Sequence, residues 1–112
     1  MSAVGRLTKP AQFALVFREG RSRADDLLVL KVLPNGLSEA RIGVSVSRRV
    51  GNAVTRNRVK RRLRESVRQA EIAPGWDVLI IARTPVGGAG YRQVSEALAK
   101  LLARAGLSAV EK

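Results

Sequence analysis

The 112-residue chain has no cysteine and no histidine. Without cysteine there can be no disulfide, no thiolate metal site and no thiol nucleophile. Without histidine the commonest general base and the commonest metal ligand are both missing. Acidic residues are also scarce: 9 Asp and Glu stand against 21 Lys and Arg, for a net charge of +12 and a pI near 11.7. Such an imbalance destabilises a compact state through self-repulsion, and a polyanionic partner is its usual counterweight. Nucleic acid is the first candidate and an anionic membrane surface the second. No apolar run approaches the about 18 residues of a membrane span. The N-terminal sequence MSAVGRLTKPAQF lacks an apolar stretch followed by a small-residue cleavage site, so no secretory signal is expected. These features predict a soluble, cytoplasmic protein.

Apolar residues make up 46% of the chain, enough for one modest core. A single domain over residues 1–112 is expected, with an ordered core at about 5–107. Pro10 opens a predicted helix in which Phe13, Val16 and Phe17 share a face, with Gly20 at its end. On spacing alone, both rings read as core residues. Residues 21–24 can be extended, Asp25-Asp26 interrupts, and Leu27 to Leu33 is strand-like. Pro34-Asn35-Gly36 is a turn signal. Residues 41–47 alternate, with Ile42, Val44 and Val46 on one face and Gly43, Ser45 and Ser47 on the other. Together these segments predict a β-hairpin with one buried face. Leu28, Leu30 and Val32 share a face of its first arm; Lys31 lies opposite, level with Ser45 and Ser47, forming a shallow polar trough. A helix capped by Asn52 or Thr55 then runs to about Ala70. Residues 76–83 (WDVLIIAR) read as a central strand, and Tyr91 to Ala105 as a final amphipathic helix. The order is α-β-β-β-α-β-α, a small two-layer α-β sandwich of the α+β class.

The segment from Arg48 to Arg68 carries nine basic residues and one acid, Glu65, for a net +8. Projected at about 100° per residue, Val59, Leu63, Val67 and Ala70 form a narrow apolar stripe. Lys60, Arg64, Asn57, Arg68, Arg61, Arg58 and Arg62 follow around the remaining surface. Arg56 projects near the edge of the stripe, either under the N-terminal turn or toward the trough. A solvated helix normally interleaves Glu with Lys at i, i+4; this one does not. Arginine's planar fork pairs with phosphate and stacks on bases. A membrane-bound helix needs a broad apolar face, whereas this stripe is claimed by the core, so a nucleic acid is the expected partner. Charge does not separate RNA from DNA.

Residues 43–64, GVSVSRRVGNAVTRNRVKRRLR, resemble the signature of the bacterial ribonuclease P protein subunit: a strand ending in V-S, a basic pair, G-N-A-V and R-N-R. The spacing of Phe13, Phe17 and Gly20 and the WDVLIIAR strand extend the resemblance over about residues 5–107. It implies a subunit that joins a large catalytic RNA and helps remove the 5′ leader of precursor tRNA, with no catalytic residue on the protein. It implies magnesium at the active site of the RNA and no metal bound by the protein. Arg56, Asn57, Arg58, Lys60, Arg61, Arg62, Arg64 and Arg68 are the expected RNA-subunit contacts. Phe13, Phe17, Lys31, Ser45 and Ser47, with Arg48 and Arg49 as basic rim, are the expected leader contacts. Lys31 stands where some members carry tyrosine, which exchanges base stacking for phosphate attraction. Sequential β-α-β units are right-handed in about 98% of cases; the resemblance implies a left-handed one here. Partners implied are the catalytic RNA and precursor tRNA, with no membrane and no obligate protein partner.

Two rival readings share some of these features. A ribosomal or other structural RNA-binding protein would also carry a basic face on a small α/β fold. A stand-alone nuclease would hold magnesium on Asp25, Asp26 or Asp77, although adjacent carboxylates on a strand point to opposite sides.

Overall fold

A computed structural model describes residues 4–108. Its elements are β1 (Val4–Arg6), α1 (Pro10–Glu19), β2 (Arg21–Ala24), β3 (Leu28–Pro34), β4 (Ala40–Val46), α2 (Ala53–Gln69), β5 (Trp76–Ala82) and α3 (Tyr91–Arg104), with 3-10 turns at Arg48–Val50 and Thr84–Gly88. The strands form one mixed sheet in the order β1-β4-β5-β3-β2. This is the expected α+β class and element order, with one further strand, β1, at the start.

The predicted β3–β4 hairpin does not form. β5 lies between the two strands, antiparallel to β3 and parallel to β4. The reason lies in burial: five of the seven residues of β5 are buried, including four in succession from Asp77 to Ile80. A local β3–β4 pairing would push this strand to an edge. The Asn35 N–H instead donates to Gly75 C=O at 2.9 Å, joining the β3–β4 loop to the approach of β5. A hairpin is present one element earlier, between β2 and β3. Asp25 closes it, its Oδ1 accepting from the N–H groups of Leu27 and Leu28 at 2.9 Å each. α2 joins the parallel neighbours β4 and β5, forming the β-α-β unit that the resemblance implies.

The alternation of each strand divides the sheet into two faces. Leu28, Leu30, Val32, Ile42, Val78 and Ile80 pack with Val59 and Leu63 of α2 and with Leu98, Leu101 and Leu102 of α3 to form the main core. The opposite face carries a smaller cluster, in which Val16 of α1 packs with Leu7 and Leu79, flanked by Phe13, Leu33 and Ile81. The sheet is therefore covered on both faces, with α1 a partial third layer beyond the two expected.

One polar group is buried at the end of this second face. Asp77 is 4% exposed. It accepts from Arg41 Nε at 2.8 Å, Arg41 Nη2 at 2.7 Å and Asn35 Nδ2 at 2.9 Å. Burial pushes the carboxyl pKa up, but the Arg41 and Asn35 hydrogen bonds and the Arg41 charge outweigh it and hold the group below its ordinary value. The fork therefore fastens β4, β5 and the β3–β4 loop together.

Candidate nucleic-acid interface

α2 begins where Asn52 Oδ1 accepts from Thr55 N–H at 2.9 Å, so Asn52 is the cap. Its buried residues are Val59, Leu63, Ser66 and Val67. Ser66 fits the stripe because its hydroxyl donates to Arg62 C=O at 2.9 Å, leaving no unmet polar atom. The opposite surface is basic, as projected, but its cations are of two kinds. Three are engaged within the protein. Arg56 tucks under the N-terminal turn, Nη1 donating to Gly51 C=O at 2.8 Å. Arg62 Nη1 donates to Ala89 C=O at 2.7 Å, bracing α2 against the loop before α3. Arg68 pairs with Glu65, whose carboxyl pKa is lowered by the Arg68 and Gln69 hydrogen bonds and the Arg68 charge. Arg58, Lys60, Arg61 and Arg64 have no hydrogen-bond or ion-pair partner among the described residues. Unpaired cations on one helix face form a ready phosphate-binding surface. Asn57 and Val54 are exposed on the same helix, Val54 at 71%. Val54 was not foreseen; its place in the helical projection, between Arg61 and Arg58, was the available signal.

The trough lies on the α1 face of the sheet. Strand registers place Lys31, Leu79 and Gly43 in one row and Val29, Ile81 and Ser45 in the next. Lys31 and Ser45 do share a face, but β5 separates them. The floor between them is thus apolar Leu79 and Ile81, correcting the expected polar trough in which Lys31 stood level with the serines. Ser45 and Ser47 are exposed near the end of β4, and exposed Arg48 and Arg49 follow directly in a 3-10 turn.

The two phenylalanines separate in role. Phe13 is half-buried over Gly43, where an added Cβ would lie 2.6 Å from its Cε1. Glycine at this strand position therefore makes room for the ring. Phe17 is 58% exposed, with Lys31 Nζ 5.1 Å from its ring centroid. A core role thus holds in part for Phe13 and not for Phe17. The cation covers one side of the Phe17 ring. α1 itself is set by Gln12, whose Oε1 accepts from Thr8 and Lys9 N–H at 3.0 Å each.

The residues singled out from the sequence therefore fall on two surfaces: a cationic helix and a trough holding one exposed ring and one half-buried ring. The fold and these surfaces define a small, basic nucleic-acid-binding α+β protein. The family model described as Ribonuclease P matches residues 1–106. Ribonuclease P protein components of Clostridium perfringens and Roseiflexus castenholzii are 42% and 41% identical to the chain, covering 95% and 96% of it and 92% and 90% of their own lengths. The RNase P protein of Thermotoga maritima superposes with a TM-score of 0.81 at 32% identity, covering 96% of this chain and 98% of that one. The Staphylococcus aureus RNase P protein does so with a TM-score of 0.81 at 31% identity, covering 96% and 93%. The chain belongs to the ribonuclease P protein family. Family membership ties it to RNA binding, to tRNA 5′ processing and to an RNase P RNA partner.

Proposed function

We propose that the protein docks on the RNase P RNA through α2 and holds the 5′ leader of precursor tRNA in the trough, promoting endonucleolytic removal of the leader. The observation that carries this reading is the set of four cations on α2, Arg58, Lys60, Arg61 and Arg64, that have no partner among the described residues. They contact RNA phosphates directly, with Asn57 supplying an amide between them. Arg56, Arg62 and Arg68 hold the helix and its surface groups in place. Phe17 offers the uncovered side of its ring to an unpaired base, while Lys31, Arg48 and Arg49 attract the backbone. Ser45 and Ser47 offer hydroxyls on the same side. Magnesium belongs to the catalytic centre of the RNA, and the protein supplies binding and positioning. The setting is the cytoplasm; no helix among the described residues is long and apolar enough to cross a membrane.

Contacts already made by the acidic side chains disfavour a stand-alone nuclease. Asp25 closes the β2–β3 turn and Asp77 is locked to Arg41, so two of its three candidate ligands are engaged. Reconstitution tests the main reading. Added to an RNase P RNA at low magnesium, the protein is expected to raise the rate of leader removal. No gain over RNA alone, or cleavage of precursor tRNA by the protein alone, overturns it.

A further inference from the structure

The chain has three asparagines, Asn35, Asn52 and Asn57, and only Asn35 is followed by glycine. This pair opens the β3–β4 loop, where Gly36 has a positive φ of 70°. The turn favours glycine for that backbone. The same choice leaves the Gly36 nitrogen with no side chain beside it. A Cβ added at Gly36 would meet nothing within 4 Å, and residues 36–38 are exposed, so water reaches the pair. A main-chain nitrogen that follows an asparagine can attack the side-chain amide and close a succinimide ring. The other two asparagines are poorly placed for this. Asn57 lies inside α2, whose hydrogen-bond ladder holds the next nitrogen. Asn52 is fixed as the cap of α2, its Oδ1 accepting from Thr55 N–H, and Ala53 after it is already helical.

The Asn35 amide also fastens the fold. Nδ2 donates to Asp77 Oδ1 at 2.9 Å and to Glu39 C=O at 3.2 Å, and Oδ1 accepts from Leu37 N–H at 2.8 Å. A carboxylate in its place has nothing to donate and turns an oxygen toward Asp77. The charged groups facing that position are Asp77 of β5, Arg41 of β4 and Glu39 of the loop, whose charge also acts on Arg41. One guanidinium would then serve two touching carboxylates, of which one is pushed toward its protonated form. An isoaspartate further lengthens the backbone by a methylene and displaces the loop as far as Glu39, whose C=O accepts from Gly75 N–H at 3.1 Å.

We propose that Asn35 is a self-modification site whose conversion to aspartate or isoaspartate unfastens the β3–β4 loop from β5. The Gly36 nitrogen gives its proton to hydroxide and attacks Asn35 Cγ. The Cγ–Nδ2 bond breaks, and Nδ2 takes up a proton and leaves as ammonia. Water then adds to either succinimide carbonyl, the ring C–N bond breaks and the nitrogen regains its proton. Nothing is oxidised or reduced, and water is the only co-reactant. While the loop is closed its three hydrogen bonds keep the amide from turning, so the reaction runs from local openings of the loop. The competing reading is a structural amide locked for as long as the protein stays folded.

The full chain is incubated folded at mildly alkaline pH and sampled by peptide mass mapping and by enzymatic methylation of isoaspartate. Asn35 is expected to lose its amide ahead of Asn52 and Asn57, giving both isomers, and to do so faster in urea. No conversion at Asn35 without urea, or earlier conversion of Asn52 or Asn57, overturns the site. The consequence is read on Asn35→Asp and Asn35→Ala, which both lose the amide while only the first adds a charge. At neutral pH the urea midpoint should fall further for Asn35→Asp. A carboxyl whose folded pKa is raised destabilises above that pKa, so the penalty should fade as pH falls toward about 4 and the pair takes up a proton. Equal midpoints at neutral pH, or a gap that does not close, overturn the unfastening.

Discussion

Arg61 and Arg62 are adjacent in sequence and equal in charge, yet their replacement by alanine is expected to give different results. Arg61 is exposed and has no partner among the described residues; Arg62 is half-buried and donates to the Ala89 carbonyl at 2.7 Å. Each phosphate contact releases counterions and adds about 0.7–0.9 to the slope of log affinity against log salt. Arg61→Ala should therefore flatten the slope by about that amount with little change in stability. Arg62→Ala removes a charge-assisted hydrogen bond and strands a carbonyl on Ala89, a buried residue. Loss of such a bond costs about 1.5–3 kcal/mol, and partial solvent access to Arg62 favours the lower end. The variant should unfold at lower urea and bind RNA more weakly at every salt concentration, with an unchanged slope. Arg62→Lys, whose ammonium can still donate to the Ala89 carbonyl, should lose less stability than Arg62→Ala. The assay is fluorescence anisotropy with the RNase P RNA over a series of monovalent salt concentrations, alongside urea denaturation. If Arg62→Ala flattens the slope as much as Arg61→Ala does, or leaves stability untouched, the division into engaged and free cations is wrong.

Asp77→Asn should destabilise the fold by about 2–3 kcal/mol at pH 7, below the usual cost of breaking a buried pair because the Arg41 side chain is 24% exposed. The folded pKa of Asp77 lies below its unfolded value of about 3.9. Its stabilisation is therefore complete above that value and is lost as pH falls through the folded one. The gap between wild type and Asp77→Asn in denaturation should shrink at pH 3; a constant gap contradicts the ion-pair account. Phe17→Ala should weaken leader-bearing precursor by about 1–3 kcal/mol of stacking and spare RNA-subunit affinity, while Phe17→Tyr retains the leader contact; equal losses on both ligands would merge the two surfaces. Gly20→Ala places a Cβ 2.5 Å from the Val16 carbonyl, so the melting temperature should fall although Gly20 has a negative φ of −72°. An unchanged melting temperature would mean that the end of α1 yields freely.

Helix α2 was legible in nearly every respect. Its cap was narrowed to Asn52 or Thr55, and its apolar stripe and cationic arc follow from residue type and a 3.6-residue period, both local properties of the chain. The family resemblance was equally local, carried by the contiguous run from Gly43 to Arg64. Both phenylalanines could be placed on one helical face, but their separation into a ring over Gly43 and an exposed ring beside Lys31 depended on where that helix crosses the sheet. Strand order was hidden because pairing partners are chosen by burial over the whole core. A turn signal at Pro34-Asn35-Gly36 describes the loop and not the strand that slips between its arms. Which arginines are free was hidden for a related reason: Arg62 finds its acceptor 27 residues away, across a tertiary contact. The sequence by itself determined the basic helix, the element order from α1 onward and the family. Only the tertiary structure decided that β5 sits between β3 and β4, that three of the cations serve the protein itself, and that the Asn35 amide lies against Asp77. Patterns of period 2 and 3.6 fix what an element exposes, whereas what meets it there depends on chain segments far away in sequence.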